Sequence, residues 1–186
     1  KHCRPIDTKG KDPVITSPYS ASHPALDYGY VAGTNVYATQ DGKVTVAIGN
    51  ETRQWIANKR TEPRKDPYLL PSGNRALNNF DYGNRVQITH SASESSLYAH
   101  LQYDSLYVKV GDFVKKGQLI GRVGSTGNST GNHLHYELMI NGKKVNLADH
   151  FDNTFSKYFE AGETESNMYR GYNLLDMDSM KAAIDI

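Results

Sequence analysis

At 186 residues, with 38% hydrophobic and 22% charged residues and a formal net charge of +1, the chain is sized and composed for one well-packed globular domain. No run approaches the roughly eighteen consecutive apolar residues of a membrane span, and the charges lack the Lys/Arg clusters with interleaved aromatics expected of a nucleic-acid binder. Cys3 is the single cysteine, which excludes an internal disulfide framework and a Cys-based zinc site.

Thirteen Tyr, sixteen Gly and seven Pro favour short strands joined by turns over long helices, so a mainly β body is expected. The charge is unevenly placed. Residues 149–186 carry eight acidic and three basic residues against twelve acidic and eighteen basic in residues 1–148. A basic body suits an anionic surface, and an acidic tail suits packing back onto that body or docking a partner. The start at Lys1-His-Cys-Arg-Pro5 has neither Met nor the apolar segment of a signal peptide, which reads as a processed product or a piece of a larger protein.

In chain order, His23-Pro-Ala-Leu-Asp27 comes first. Pro24 and the β-rich residues after it argue for a loop entering a strand, and that backbone can still bring His23 and Asp27 to one metal. Val36-Tyr-Ala38, Lys43–Ile48, Arg85–Thr89 and Ser96–Ala99 read as antiparallel strands, with Asp41-Gly42 as a hairpin turn. Residues 51–80 hold Pro63, Pro67 and Pro71 among many charges and no sustained period, so they read as a long insertion; Trp55 and Tyr68 in it either line a groove or pin the loop to the body.

Farther on, His133-Leu-His-Tyr-Glu-Leu-Met-Ile140 leads into Asn141-Gly142, a hairpin signal. On that strand His133 and His135 point to the same side, about 6–7 Å apart, with Leu134 on the opposite face. Two His nitrogens and an Asp oxygen are a donor set zinc accepts, and three protein ligands leave a fourth position open. The glycines of the 124–131 loop lead into a strand without the Gly-Lys-Ser/Thr ending of a phosphate loop; they read as letting the backbone turn close to the metal. His2, His90 and His150 read as structural or solvated. After Leu147, Phe151, Phe155, Tyr158 and Phe159 recur at helical spacing, and 175–184 reads as a second short helix.

Taken jointly, Leu97-Tyr-Ala-His100, Val110-Gly-Asp-Phe-Val-Lys-Lys-Gly117 and Val123-Gly-Ser-Thr-Gly127 running on to His133-Leu-His135, together with His23-Pro-Ala-Leu-Asp27, closely resemble the lysostaphin-like, LytM-type zinc metallopeptidases over roughly residues 14–148. The resemblance implies an antiparallel β-sheet metallopeptidase domain, assigned to 1–148 (core about 14–148, insertion 51–80); 149–186 is left as an acidic C-terminal extension with the short helices read from its spacing. It implies one Zn2+ held by His23, Asp27 and His135, with His100 and His133 as the unligated catalytic pair. His133 is the choice for general base and His100 for stabilising the oxyanion or protonating the leaving amine, the two roles being exchangeable.

The implied substrate is bacterial peptidoglycan, cut by an endopeptidase in its stem peptides or cross-bridges, outside the cytoplasm: secreted, wall-associated or on a phage virion. The rival reading is a wall-binding or assembly component, such as part of a phage tail tip or surface complex, in which the domain is mainly structural. Three departures from the family pattern are Ala25, where Gly is usual, the long insertion at 51–80 and the extra tail after Leu147. Tyr19 is a candidate for the Tyr that family members often place ahead of the first ligand. The Lys115-Lys116 turn is also similar to that of biotinyl and lipoyl carrier domains, without their exposed hairpin context.

Overall fold

The structure is a computed structural model and describes residues 1–52, 54–55 and 80–158. Its frame is an eight-stranded antiparallel sheet. In spatial order it runs β1 (Ile15–Ser17), β2 (Leu26–Tyr28), β11 (Leu134–Ile140), β7 (Glu94–Leu101), β6 (Asn84–Ser91), β4 (Gly42–Ile48) and β8 (Phe113–Val114), with β12 (Lys143–Val145) also on β11. Because β7 takes one edge of β11, β2 and β12 share the other: β2 pairs with Leu134–Tyr136 and β12 with Leu138–Ile140. Two small pairs complete the described strands: β3 (Asn35–Tyr37) with β9 (Leu119–Arg122), and β5 (Gln54–Trp55) with β10 (Gly127–Asn128). Among the described residues no helix is long and apolar enough to cross a membrane.

Alternation explains which face is which. Leu134, Tyr136 and Leu138 of β11 are buried with Val44, Val86, Ile88, Tyr98 and Ile120 in one core, while His135 and Glu137 face the other side. The core is not wholly apolar. The hydroxyls of Tyr98 and Tyr136 meet the Thr39 hydroxyl at 3.1 and 2.9 Å, and His2 Nδ1 reaches the same oxygen at 2.9 Å. Thr39→Val strips that shared partner from three buried groups. The expected outcome is a loss of about 1–3 kcal/mol in stability, read from the midpoint of urea unfolding.

The hairpin expected at Asn141-Gly142 is present, with Ile140 opposite Lys143 and φ of 52° and 75° at the two turn residues, as a two-residue primed turn requires. The one expected at Asp41-Gly42 is not: β3 pairs with β9, β4 pairs with β6 and β8, and Gly42 already belongs to β4. Local turn chemistry bends the chain there without returning it to the strand it left. The helical run expected from Phe151 is also absent as far as Tyr158. The Tyr158 ring packs 4.7 Å from Tyr37 and 5.3 Å from Phe155, and Lys116 Nζ lies 4.8 Å over Phe155, so aromatic contacts with the body override the spacing. Phe159, the proposed helix at 175–184, Tyr68 and most of the insertion lie outside the described residues, as does the Trp55 side chain.

The first residues are part of the body. His2 donates its backbone N–H to His150 O and accepts from Asp152 N, and Cys3 N–H binds Thr39 O. Cys3 is fully buried with its thiol on Ala38 O, and burial pushes its pKa up to about 12, which keeps it an unreactive thiol. Both nitrogens of His2 and His90 are engaged, with Thr39 and Glu94 and with Asp41 O and Ser96, consistent with structural roles. Lys116 Nζ is 3.3 Å from Asp152 and only 17% exposed, unlike the free hairpin lysine of a carrier domain.

Candidate metal centre

Asp27 sits on β2 directly opposite His135 on β11, and His23 arrives from the loop before β2. Sheet register therefore makes one side of the site. His135 Nδ1 lies 2.9 Å from Asp27 Oδ1, His23 Nε2 lies 3.2 Å from Asp27 Oδ2, and one donor atom from each of the three falls within 4.8 Å of the others. Bonds of about 2.0–2.1 Å in a tetrahedral zinc site put donor atoms about 3.3 Å apart. Two nitrogens and a carboxylate at these separations fit such an ion.

The ring contacts place one nitrogen of each histidine toward Asp27. His23 Nδ1 faces Pro18 O at 3.3 Å and Nε2 faces Asp27; a carbonyl only accepts, so a ring that donates its one N–H to Pro18 O leaves the Nε2 lone pair for an ion shared with Asp27. His135 is placed the other way, with Nδ1 toward Asp27 and Nε2 toward Glu137 Oε1 at 2.9 Å. Burial disfavours charge on His135, but its bonds to Asp27 and Glu137 and their charges outweigh this and raise its pKa to about 9. Burial likewise opposes ionisation of Asp27, yet the bond from His135 and the surrounding imidazoles hold its carboxyl below the usual range. A proton on His135 Nδ1, facing Asp27, occupies the place a cation would take.

Beside this triad lie the two other predicted histidines. The His100 ring is 4.8 Å from that of His133 and 5.8 Å from that of His135. His100 gets there through a break in its strand. Between Val86↔Tyr98 and Asn84↔Leu101, the two residues Ala99 and His100 oppose Arg85 alone, and His100 has φ 58°. Regular alternation would send His100 to the Tyr98 side; this β-bulge turns it to the metal face. A left-handed non-glycine residue at a site of this kind stores about 1–3 kcal/mol of strain.

The 124–131 loop orients both imidazoles. His100 Nδ1 donates to Thr126 O at 2.7 Å, and His133 Nδ1 to Gly131 O at 2.8 Å with Ser129 Oγ at 3.3 Å. Burial first, then the charge of His133, pushes the His100 pKa down to about 3, so it is held neutral with the proton on Nδ1. In both residues Nε2 is then the nitrogen that can take a proton. The loop in turn is seated backbone to backbone on residues 81–83: a Cβ at Gly127, where φ is 80°, would lie 2.5 Å from Asp81 O and Gly83 N. Gly127→Ala is expected to cost at least about 1–3 kcal/mol in thermal unfolding and to misplace Thr126 O, lowering turnover along with stability.

Two residues at the site were not among those singled out from the sequence. Glu137 follows His133 and His135 at the same two-residue interval, so the alternation carried a signal for it. Tyr82, whose hydroxyl donates to Glu137 Oε1 at 2.6 Å and whose ring is 5.5 Å from His135, had none. Tyr19 donates its hydroxyl to Lys144 O at 2.8 Å, which engages it with β12.

An antiparallel sheet that presents two imidazoles and a carboxylate in metal-ligating range, with a second imidazole pair alongside, defines a metallohydrolase-type domain. The model for peptidase family M23 matches residues 72–147. The DD-carboxypeptidase/endopeptidase Mpg of Neisseria meningitidis serogroup B is 37% identical over 124 residues, covering 67% of this chain and 21% of that protein. The peptidoglycan DD-endopeptidase ShyA of Vibrio cholerae is 33% identical over 150 residues, covering 76% of this chain and 28% of its own length. A crystal structure of a zinc-containing peptidase from Vibrio cholerae superposes with a TM-score of 0.54 at 28% identity, over 83% of this chain and 39% of that one. The chain belongs to peptidase family M23, the metallopeptidases its motifs resemble. It spans less than a third of the length of either curated relative.

Proposed function

We propose that this chain is a zinc-dependent endopeptidase that hydrolyses peptide bonds in bacterial peptidoglycan and acts outside the cytoplasm. The observation that carries the reading is the convergence of His23, Asp27 and His135 beside the His100–His133 pair. A structural or assembly role requires none of the five. His23, Asp27 and His135 would hold the ion. When bound, zinc supplies Lewis acidity, polarising a carbonyl and bringing the pKa of a water toward roughly 7.

The chain's own residues do the rest. His133 is the proton acceptor, because it is more exposed than His100, which is 6% exposed and in which a charge would be costly. That proton leaves with the amine. His100, fixed by Thr126 O, lines the reacting carbonyl and the departing nitrogen, and its bulged backbone keeps the ring from swinging away. The basic balance of residues 1–148 favours an anionic wall polymer.

Both relatives are named for action on DD-type bonds, and we favour that bond in stem-peptide cross-links over a glycyl bridge. Digestion of purified cross-linked peptidoglycan tests this through product masses. Chelator-sensitive conversion of dimeric to monomeric stem peptides is the expected result. Products with intact cross-links and cut glycine bridges would replace the bond assignment, and no new amino groups at all would refute the enzyme reading.

A further inference from the structure

Glu137 is 7% exposed, and a carboxylate is costly there unless its charge is matched. Three donors converge on its Oε1: Tyr82 Oη at 2.6 Å, His135 Nε2 at 2.9 Å and Lys144 Nζ at 3.2 Å. They come from the 3-10 turn Phe80–Tyr82, from β11 and from β12, so the carboxylate is held from three directions. The bond to His135 has a chemical consequence. Carboxylates face both ring nitrogens at 2.9 Å, and each can only accept; an ion shared with Asp27 takes the Nδ1 lone pair, which leaves the single N–H of a neutral imidazole on Nε2, where Glu137 accepts it.

We propose that Glu137 is the positioning residue of the metal centre: it selects Nδ1 of His135 as the coordinating nitrogen and sets how tightly the ion is held. This rests on the reading of His23, Asp27 and His135 as the ligands. The two histidine ligands are then fixed by opposite devices. His23 presents Nε2 because a backbone carbonyl, Pro18 O, holds its Nδ1 proton, whereas His135 presents Nδ1 because a buried anion holds its Nε2 proton. The anion does more than the carbonyl, since its charge makes the imidazole a better donor to the ion.

Tyr82 extends the device. It stands two residues past the long insertion, and its hydroxyl bonds the oxygen that faces His135, so the turn that follows the insertion is connected to a metal ligand through two hydrogen bonds. A simple Glu137–Lys144 ion pair would account for the burial of the carboxylate but not for a histidine nitrogen in contact with it on the side away from Asp27.

The test is Zn2+ affinity of the metal-freed full chain, measured by competition with a chromophoric chelator, for the wild type, Glu137→Gln, Glu137→Leu, Tyr82→Phe and His135→Ala. Glu137→Gln removes the charge and keeps the size and an acceptor; it is expected to bind Zn2+ about 10–100-fold more weakly. Glu137→Leu is expected to be weaker still, and Tyr82→Phe to shift affinity in the same direction by less. Nitrogen-15 histidine spectra of the zinc-loaded wild type are expected to show His135 with a protonated Nε2 and a metal-bound Nδ1.

Unchanged affinity in Glu137→Gln beside a collapsed His135→Ala overturns this proposal alone, as does a metal-bound Nε2 in His135. A wild type that retains no Zn2+, or a His135→Ala variant that binds as tightly as wild type, overturns the ligand reading beneath it. Should the leucine variant not fold, the isosteric glutamine variant and the wild-type spectra decide.

Discussion

Replacing His135 with alanine is expected to abolish metal retention and hydrolysis together. His135 meets Asp27 across the β2–β11 pair, Glu137 behind it, and the His100 and His23 rings within 6 Å. Its loss leaves His23 and Asp27, adjacent on one short stretch of chain, as the remaining protein donors. Loss of a group that merely supports a ligand costs about 10–100-fold in affinity, and loss of the ligand itself must exceed that. Dialysis followed by elemental analysis reads the stoichiometry, and the peptidoglycan digest reads the activity. Full zinc occupancy in His135→Ala would contradict the assignment.

The second large effect separates metal from chemistry. His133→Ala is expected to keep the ion and lose turnover by about 10²–10⁴-fold, the range for removal of a general acid–base group. His133 stands two residues from His135 on the same face, yet its Nδ1 is turned to Gly131 O and Ser129, and it is not one of the three groups that share a possible ion. Single-turnover rates on a cross-linked stem-peptide dimer, with metal content measured on the same sample, distinguish the two functions. Equal zinc loss in His133→Ala and His135→Ala would mean that the two histidines had been assigned the wrong way round.

Much of this site could be read from spacing because strand alternation is local. Two histidines separated by one leucine share a face once the segment is extended, and here β11 begins at Leu134 with His133 bridged to Gly124 just before it. The meeting of Asp27 with His135, over a hundred positions apart, is a matter of register between β2 and β11 and became readable only through the resemblance of the whole motif set. The orientation of His100 was not readable from alternation at all, since a bulge reverses the face on which a side chain emerges.

Glu137 continued the pattern of His133 and His135 but carried no ligand signature, and only the three donors around it give it a role. The misplaced hairpin at Asp41-Gly42 and the lack of a helix between Phe151 and Tyr158 share a cause. Both expectations rested on short local signals, and pairing of β3 with β9 and of aromatic rings with the body outweighed them.

Diffraction from zinc-loaded crystals on the two sides of the zinc absorption edge tests the account most directly. The expected map has one anomalous peak, bonded to His23 Nε2, an Asp27 carboxylate oxygen and His135 Nδ1, with His100 and His133 near it but not bound. A peak elsewhere, or one ligated by His100 or His133 in place of any of the three, would contradict it.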